Sequence, residues 1–119
     1  EAGQTLARVR RQLELALAGV GGEDWQRIAV AYEPIWAIGT GRNATPQQAQ
    51  EVHRHLRGLL ETMAAGARPP ILYGGSAKPE NSLELLSQPD VSGLLVGGAS
   101  LKVDQFSAII RSGVKLLGA

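Results

Sequence analysis

The chain has 119 residues, a formal net charge of +1, 44% hydrophobic residues, 4% aromatics and no cysteine. That length suits one domain with one aliphatic core; the missing cysteine excludes a disulfide scaffold, a thiolate metal site and a cysteine nucleophile. The near-neutral balance offers no field for nucleic acid or an anionic membrane, and with neither a transmembrane-length apolar run nor a signal-peptide pattern the expected setting is cytoplasmic.

Leu6, Val9, Leu13, Ala16 and Leu17 recur at helical spacing, with Arg8, Arg10, Arg11 and Glu14 between them as a solvated face. Gly19, Gly21 and Gly22 then stop that helix, and Trp25 reads as a packing anchor. Ile28 to Tyr32 is an apolar run without alternation, which predicts a strand buried on both faces. A glycine-containing loop runs from Pro34 to Ala44. Thr45, Pro46 and Gln48 predict a capped helix start, and Val52, Leu56, Leu59, Leu60 and Met63 mark the buried side of that helix. His53 and His55 lie two positions apart on it, the wrong spacing for a ligand pair, and read as surface or packing residues. Pro70 to Tyr73 predicts a second strand, running into Gly74-Gly75-Ser76, and Pro79 to Ser87 a helix. Leu94 to Val96 predicts a third strand, running into Gly97-Gly98, before a last helix with Val103, Phe106, Ile109 and Ile110. A helix followed by three strand–loop–helix units signals a parallel α/β sheet, whose ligands gather at the carboxyl ends of the strands.

The residues at those ends carry the candidate chemistry. Pro34 holds Glu33 extended, which places its carboxylate at a strand tip. Pro34 to Gly41 couples stiff and bulky residues to Gly39 and Gly41, as a water-excluding lid would need, although composition alone favours an ordinary βα loop. Gly74-Gly75-Ser76 and Gly97-Gly98-Ala99-Ser100 expose amides between a strand and a helix, where a phosphate can be gripped. Neither follows the spacing of a nucleotide loop.

The segment Ala31-Tyr32-Glu33-Pro34-Ile35-Trp36-Ala37-Ile38-Gly39-Thr40-Gly41 closely resembles the signature of the triosephosphate isomerase family. Tyr73-Gly74-Gly75-Ser76 and Val96-Gly97-Gly98-Ala99-Ser100 resemble two later phosphate loops of that family, in the same order, so the resemblance spans nearly the whole chain. It implies a partial (β/α)8 barrel: residues 1–119 as the C-terminal half of the domain, three βα units preceded by a helix. A complete barrel takes about 250 residues.

The resemblance also implies an activity: interconversion of dihydroxyacetone phosphate and glyceraldehyde 3-phosphate, in glycolysis and gluconeogenesis, by proton transfer through an enediolate and without metal or organic cofactor. Glu33 is then the base. Gly39, Ser76, Gly97 and Gly98 grip the substrate phosphate, and Pro34, Ile35, Trp36, Ala37, Ile38, Gly39, Thr40 and Gly41 form the lid. Tyr73 with Ala44 and Ser76 with Gly41 latch the lid closed, and Ile38 and Leu95 clamp the carboxylate between apolar groups. The family's electrophilic histidine and substrate-binding lysine have no counterpart here. The expected partners are therefore a triose phosphate, the missing N-terminal half-barrel and, in the complete enzyme, a second subunit; the isolated chain is expected to be inactive. A noncatalytic half-barrel and a phosphate-binding module of another sugar-phosphate barrel are the alternatives, the second disfavoured by the segment Tyr32 to Gly41.

Overall fold

The computed structural model describes residues 2–34, 44–64 and 66–118. Helix α1 (Ala2–Ala16) is followed by a 3-10 turn (Gly22–Arg27), strand β1 (Val30–Tyr32) and helix α2 (Pro46–Met63). Strand β2 (Ile71–Tyr73), helix α3 (Pro79–Leu86), strand β3 (Gly93–Leu94), a second 3-10 turn (Gly98–Leu101) and helix α4 (Val103–Leu116) complete the order. The strands form one parallel sheet in the order β1-β2-β3. Val30, Ala31 and Tyr32 pair with Ile71, Leu72 and Tyr73, and Leu72 and Tyr73 with Gly93 and Leu94.

Local signals account for the boundaries. Gly19 adopts φ +86 just after α1, a backbone state that resists a side chain. The start of α2 is closed reciprocally: the Gln48 N–H donates to Thr45 Oγ1 and the Thr45 N–H to Gln48 Oε1, both at 3.0 Å, with Pro46 at the first helical position. Such a cap contributes about 1 kcal/mol. The strands are shorter than their apolar runs because only the residues facing a neighbour's backbone join the ladder. Ile28 and Val96 fall outside it.

Packing is one-sided. Ile71 meets Val52, Leu56 and Leu60 of α2, together with Leu13 of α1 and Trp25. Tyr73 packs with Ala44, Ala49, Leu85 and Val91, flanked by Tyr32 and Leu94. Trp25 is therefore the packing anchor its sequence position predicts, although the 3-10 turn that presents it carries no clear sequence signal. The opposite side of the sheet departs from the both-faces-buried reading of β1. Ala31 and Leu95 are exposed and Leu72 is half-buried, because no helix among the described residues covers that face. Helix α4 likewise exposes Val103, Phe106, Ile110 and Val114, an apolar stripe at helical spacing. No helix among the described residues is long and apolar enough to cross a membrane.

Candidate functional site

The ladder runs one step beyond the strands. The Gly74 N–H donates to the Tyr32 carbonyl at 2.8 Å and the Leu95 N–H to the Tyr73 carbonyl at 2.9 Å. Side chains alternate along a strand, so Glu33, Gly74 and Leu95 form the next row on the open face, at the carboxyl edge of the sheet. Glu33 is exposed and its side chain lies across Gly74. A Cβ on residue 74 would come within 2.6 Å of Glu33 Cγ, closer than any real contact. Gly74 thus makes room for the carboxylate, a role that its reading as part of a phosphate turn does not contain. The signal lay in the register, which places a glycine opposite the acid and is invisible without the pairing.

The two glycine loops lie along the same edge. Ser76 is half-buried, and its carbonyl accepts a hydrogen bond from Asn81 Nδ2 at 2.9 Å. Asn81 Oδ1 accepts in turn from the Lys78 N–H at 2.8 Å, so one side chain ties the Gly74–Ser76 loop to the start of α3. Asn81 is a positioning residue that the motif reading overlooked, although an Asn three residues into a helix is a recognisable capping signal. In the other loop, Ser100 donates to the Gly97 carbonyl from its N–H at 2.9 Å and its Oγ at 2.6 Å. The glycine pair here leads into the 3-10 turn Gly98–Leu101 rather than into the α-helix, which begins only at Val103. A Cβ at Gly97 or Gly98 would meet nothing within 4 Å, so packing among the described residues does not demand glycine at either position.

Behind the sheet, Tyr73 is fully buried and burial raises its phenol pKa; the Ala44 backbone N–H acts in the opposite direction. The Tyr73 hydroxyl has no hydrogen-bond partner among the described residues. His53 is also fully buried, a packing residue and not a surface one. Among the described residues no group of three His, Asp or Glu side chains gathers as a metal site would need. A cleft of about 720 Å³ beside Trp25, Met63 and Arg68 lies at the amino ends of β1 and β2, away from Glu33.

The family profile described as triosephosphate isomerase matches residues 1–113. The chain belongs to the triosephosphate isomerase family. It is 60% identical over 116 residues to the triosephosphate isomerase of Xanthomonas campestris pv. campestris strain 8004, covering 94% of this chain and 45% of that protein. It is 54% identical over 114 residues to the triosephosphate isomerases of Herminiimonas arsenicoxydans and of Ralstonia nicotianae, covering 94% of this chain and 46% of each. The chain spans about half the length of the curated relatives it matches.

Set against the triosephosphate isomerase signature, the described structure brings several of the expected site residues to one edge. Glu33, Ser76, Gly97, Gly98 and Leu95 follow the three strands directly, Pro34 is buried beside Glu33, and Tyr73 and Ala44 share one core cluster. Gly39 and the other lid positions, Ile35, Trp36, Ala37, Ile38, Thr40 and Gly41, lie outside the described residues. The Ser76–Gly41 latch and the Ile38 half of the apolar clamp lie outside them for the same reason.

Proposed function

We propose that this chain supplies the base, lid and phosphate loops of a triosephosphate isomerase. The barrel, completed by an N-terminal half, interconverts dihydroxyacetone phosphate and glyceraldehyde 3-phosphate. The observation that carries the reading is the position of Glu33: an exposed carboxylate at the carboxyl edge of a parallel sheet, laid over a glycine, on the same edge as two glycine loops, in a chain of this family. The side-chain-free surface at Gly97 and Gly98 supports a phosphate grip, since no neighbour among the described residues accounts for glycine there. Close approach of a ligand to backbone amides does.

In this reading Glu33 takes a proton from one carbon of the triose phosphate and returns it to the next. The amides of Gly39, Ser76, Gly97 and Gly98 hold the phosphate. Lid residues 34–41 close over the site, latched by Tyr73 to Ala44 and by Ser76 to Gly41, with Ile38 and Leu95 on either side of the carboxylate. No cofactor takes part. The open sheet face and the apolar stripe of α4 support burial against a missing half-barrel, and the complete enzyme acts in the cytoplasm as a homodimer. The developing enediolate charge needs an electrophile from that half; one lost donor of this kind costs about 3–4 kcal/mol, so the isolated chain has negligible turnover.

The test is to complete the barrel with the N-terminal half of the Xanthomonas campestris relative and to assay glyceraldehyde 3-phosphate turnover. Glu33→Gln keeps the size and removes the base, so kcat falls by about 10²- to 10⁴-fold while a phosphate-bearing inhibitor binds within a few-fold of the parent. A kcat within a few-fold of the parent would show that Glu33 is not the base.

A further inference from the structure

His53 sits fully buried in α2 and has no part in the chemistry proposed above. Its ring meets Tyr32 edge-on at a centroid distance of 6.1 Å and Tyr73 at 6.2 Å; the two phenol rings are 6.5 Å apart. His53 Nδ1 lies 3.1 Å from the Asp90 carbonyl oxygen. A carbonyl only accepts, so Nδ1 carries the proton. Nε2 is then bare, buried and without a hydrogen-bond partner among the described residues. The groups that face the ring are Tyr32 from β1, Tyr73 from β2, Asp90 from the turn before β3, and Arg57 one turn along α2. The Asp90 carboxylate is engaged by Gln50 Nε2 at 2.6 Å and leaves Nε2 without a counterion. Burial lowers the imidazole pKa and Arg57 pushes the same way, against Asp90, so the ring stays neutral at pH 7.

We infer that His53 is a positioning residue for Glu33, acting through Tyr32 and Tyr73 from the far side of the sheet. Glu33 follows Tyr32 in the chain, and the glycine it lies across follows Tyr73. A rigid ring packed against both phenols, and tied to the Asp90 carbonyl, braces the two strand tips from behind. The carboxylate inherits that constraint. The inference rests on Glu33 as the base.

The experiment uses the completed barrel and two variants. His53→Asn keeps a donor toward the Asp90 carbonyl and removes the ring; His53→Phe keeps the ring and removes the donor. Competent sites are counted by titration with a phosphate-bearing inhibitor, so that kcat refers to folded enzyme. His53→Asn lowers kcat per site about tenfold with KM within roughly twofold, and His53→Phe recovers kcat to within about threefold of the parent, as expected for a small displacement of a reacting group. A His53→Asn barrel that is less heat-stable but has parental kcat per site would overturn the role. If His53→Asn fails to assemble, ring ¹⁵N NMR of the parent decides: a bare Nε2 at pH 7 supports the neutral wedge, and an imidazolium overturns it. Glu33→Gln in the same background separates the two claims. If Glu33→Gln collapses kcat and His53→Asn leaves it intact, the inference fails alone; if Glu33→Gln is silent, the reading of the base fails and the positioning role with it.

Discussion

Tyr32 and Glu33 are neighbours in the chain and point to opposite sides of the same sheet. On Tyr32's side, Tyr73, Ile71 and Leu85 are completely sealed by α2 and α3, and the buried Tyr73 hydroxyl and His53 Nε2 have no hydrogen-bond partner among the described residues. On Glu33's side, Ala31 and Leu95 are exposed, the latter at 47%, and a glycine stands where a side chain would collide with the carboxylate. The comparison teaches where each kind of residue is constrained. The sealed side is set by volume and burial, so its tolerance is measured in stability. The open side is set by register and by missing side chains, so under the proposed function its tolerance is measured in turnover.

The difference can be broken most severely from the sealed side. Leu56 is 1% exposed at the centre of the larger cluster, and Leu56→Ala removes its contacts with nothing to fill the space. Urea unfolding of the completed barrel is expected to show a loss of about 2–5 kcal/mol, with kcat per folded site nearly unchanged. The opposite experiment is Gly74→Ala. The added methyl must displace the Glu33 side chain, which lies only 2.6 Å from it. A displacement of about 1 Å at a reacting group costs on the order of 10²-fold in rate, so kcat falls by about that much while the unfolding midpoint moves little. If Gly74→Ala proved neutral in kcat, the carboxylate would not work from its position over the glycine.

Two milder changes sharpen the contrast. Thr45→Ala removes one half of the α2 cap and is expected to cost about 1 kcal/mol in the same unfolding assay, without touching KM or kcat. Acid is gentler still. The folded state lowers the His53 pKa, chiefly by burial, so the unfolded chain binds the proton more readily. Stability is full above the unfolded value of about 6.5 and declines as pH falls below it toward the folded value. Denaturant midpoints measured between pH 7.5 and 5 should decline in the parent and decline less in His53→Phe.

Much of this architecture was legible before any coordinates, and the parts that were not share a cause. The α2 cap, the three parallel βα units and the placement of Glu33 at a strand tip all rest on residues close in sequence, such as Thr45 with Gln48 and Tyr32 with Pro34. Gly74's clearance of Glu33 and the packing of His53 against two tyrosines depend on contacts across 41, 21 and 20 positions, which periodicity does not contain. The both-faces-buried reading of β1 failed for a related reason. An apolar run records what the strand is suited to, whereas burial depends on what lies opposite; Ala31 has nothing opposite it among the described residues. Within the site, the Tyr73–Ala44 proximity follows the family signature, while Asn81's hold on Ser76 belongs to no motif and emerges only from its two hydrogen bonds.

That double hold makes the loop sensitive to the identity of a single atom of Asn81. Its donor and acceptor are the two ends of one carboxamide plane, matched to a carbonyl on Ser76 and an N–H on Lys78. Replacing that amide by a carboxylate, as in Asn81→Asp, would keep the bond to Lys78 and turn the other end into an oxygen facing an oxygen. The loop would then be pushed from its anchor by a change of one atom's identity, with no change in volume. The geometry of Ser76 therefore hangs on one nitrogen, and the Asn81→Asp chain should loosen first at that loop while its core remains intact.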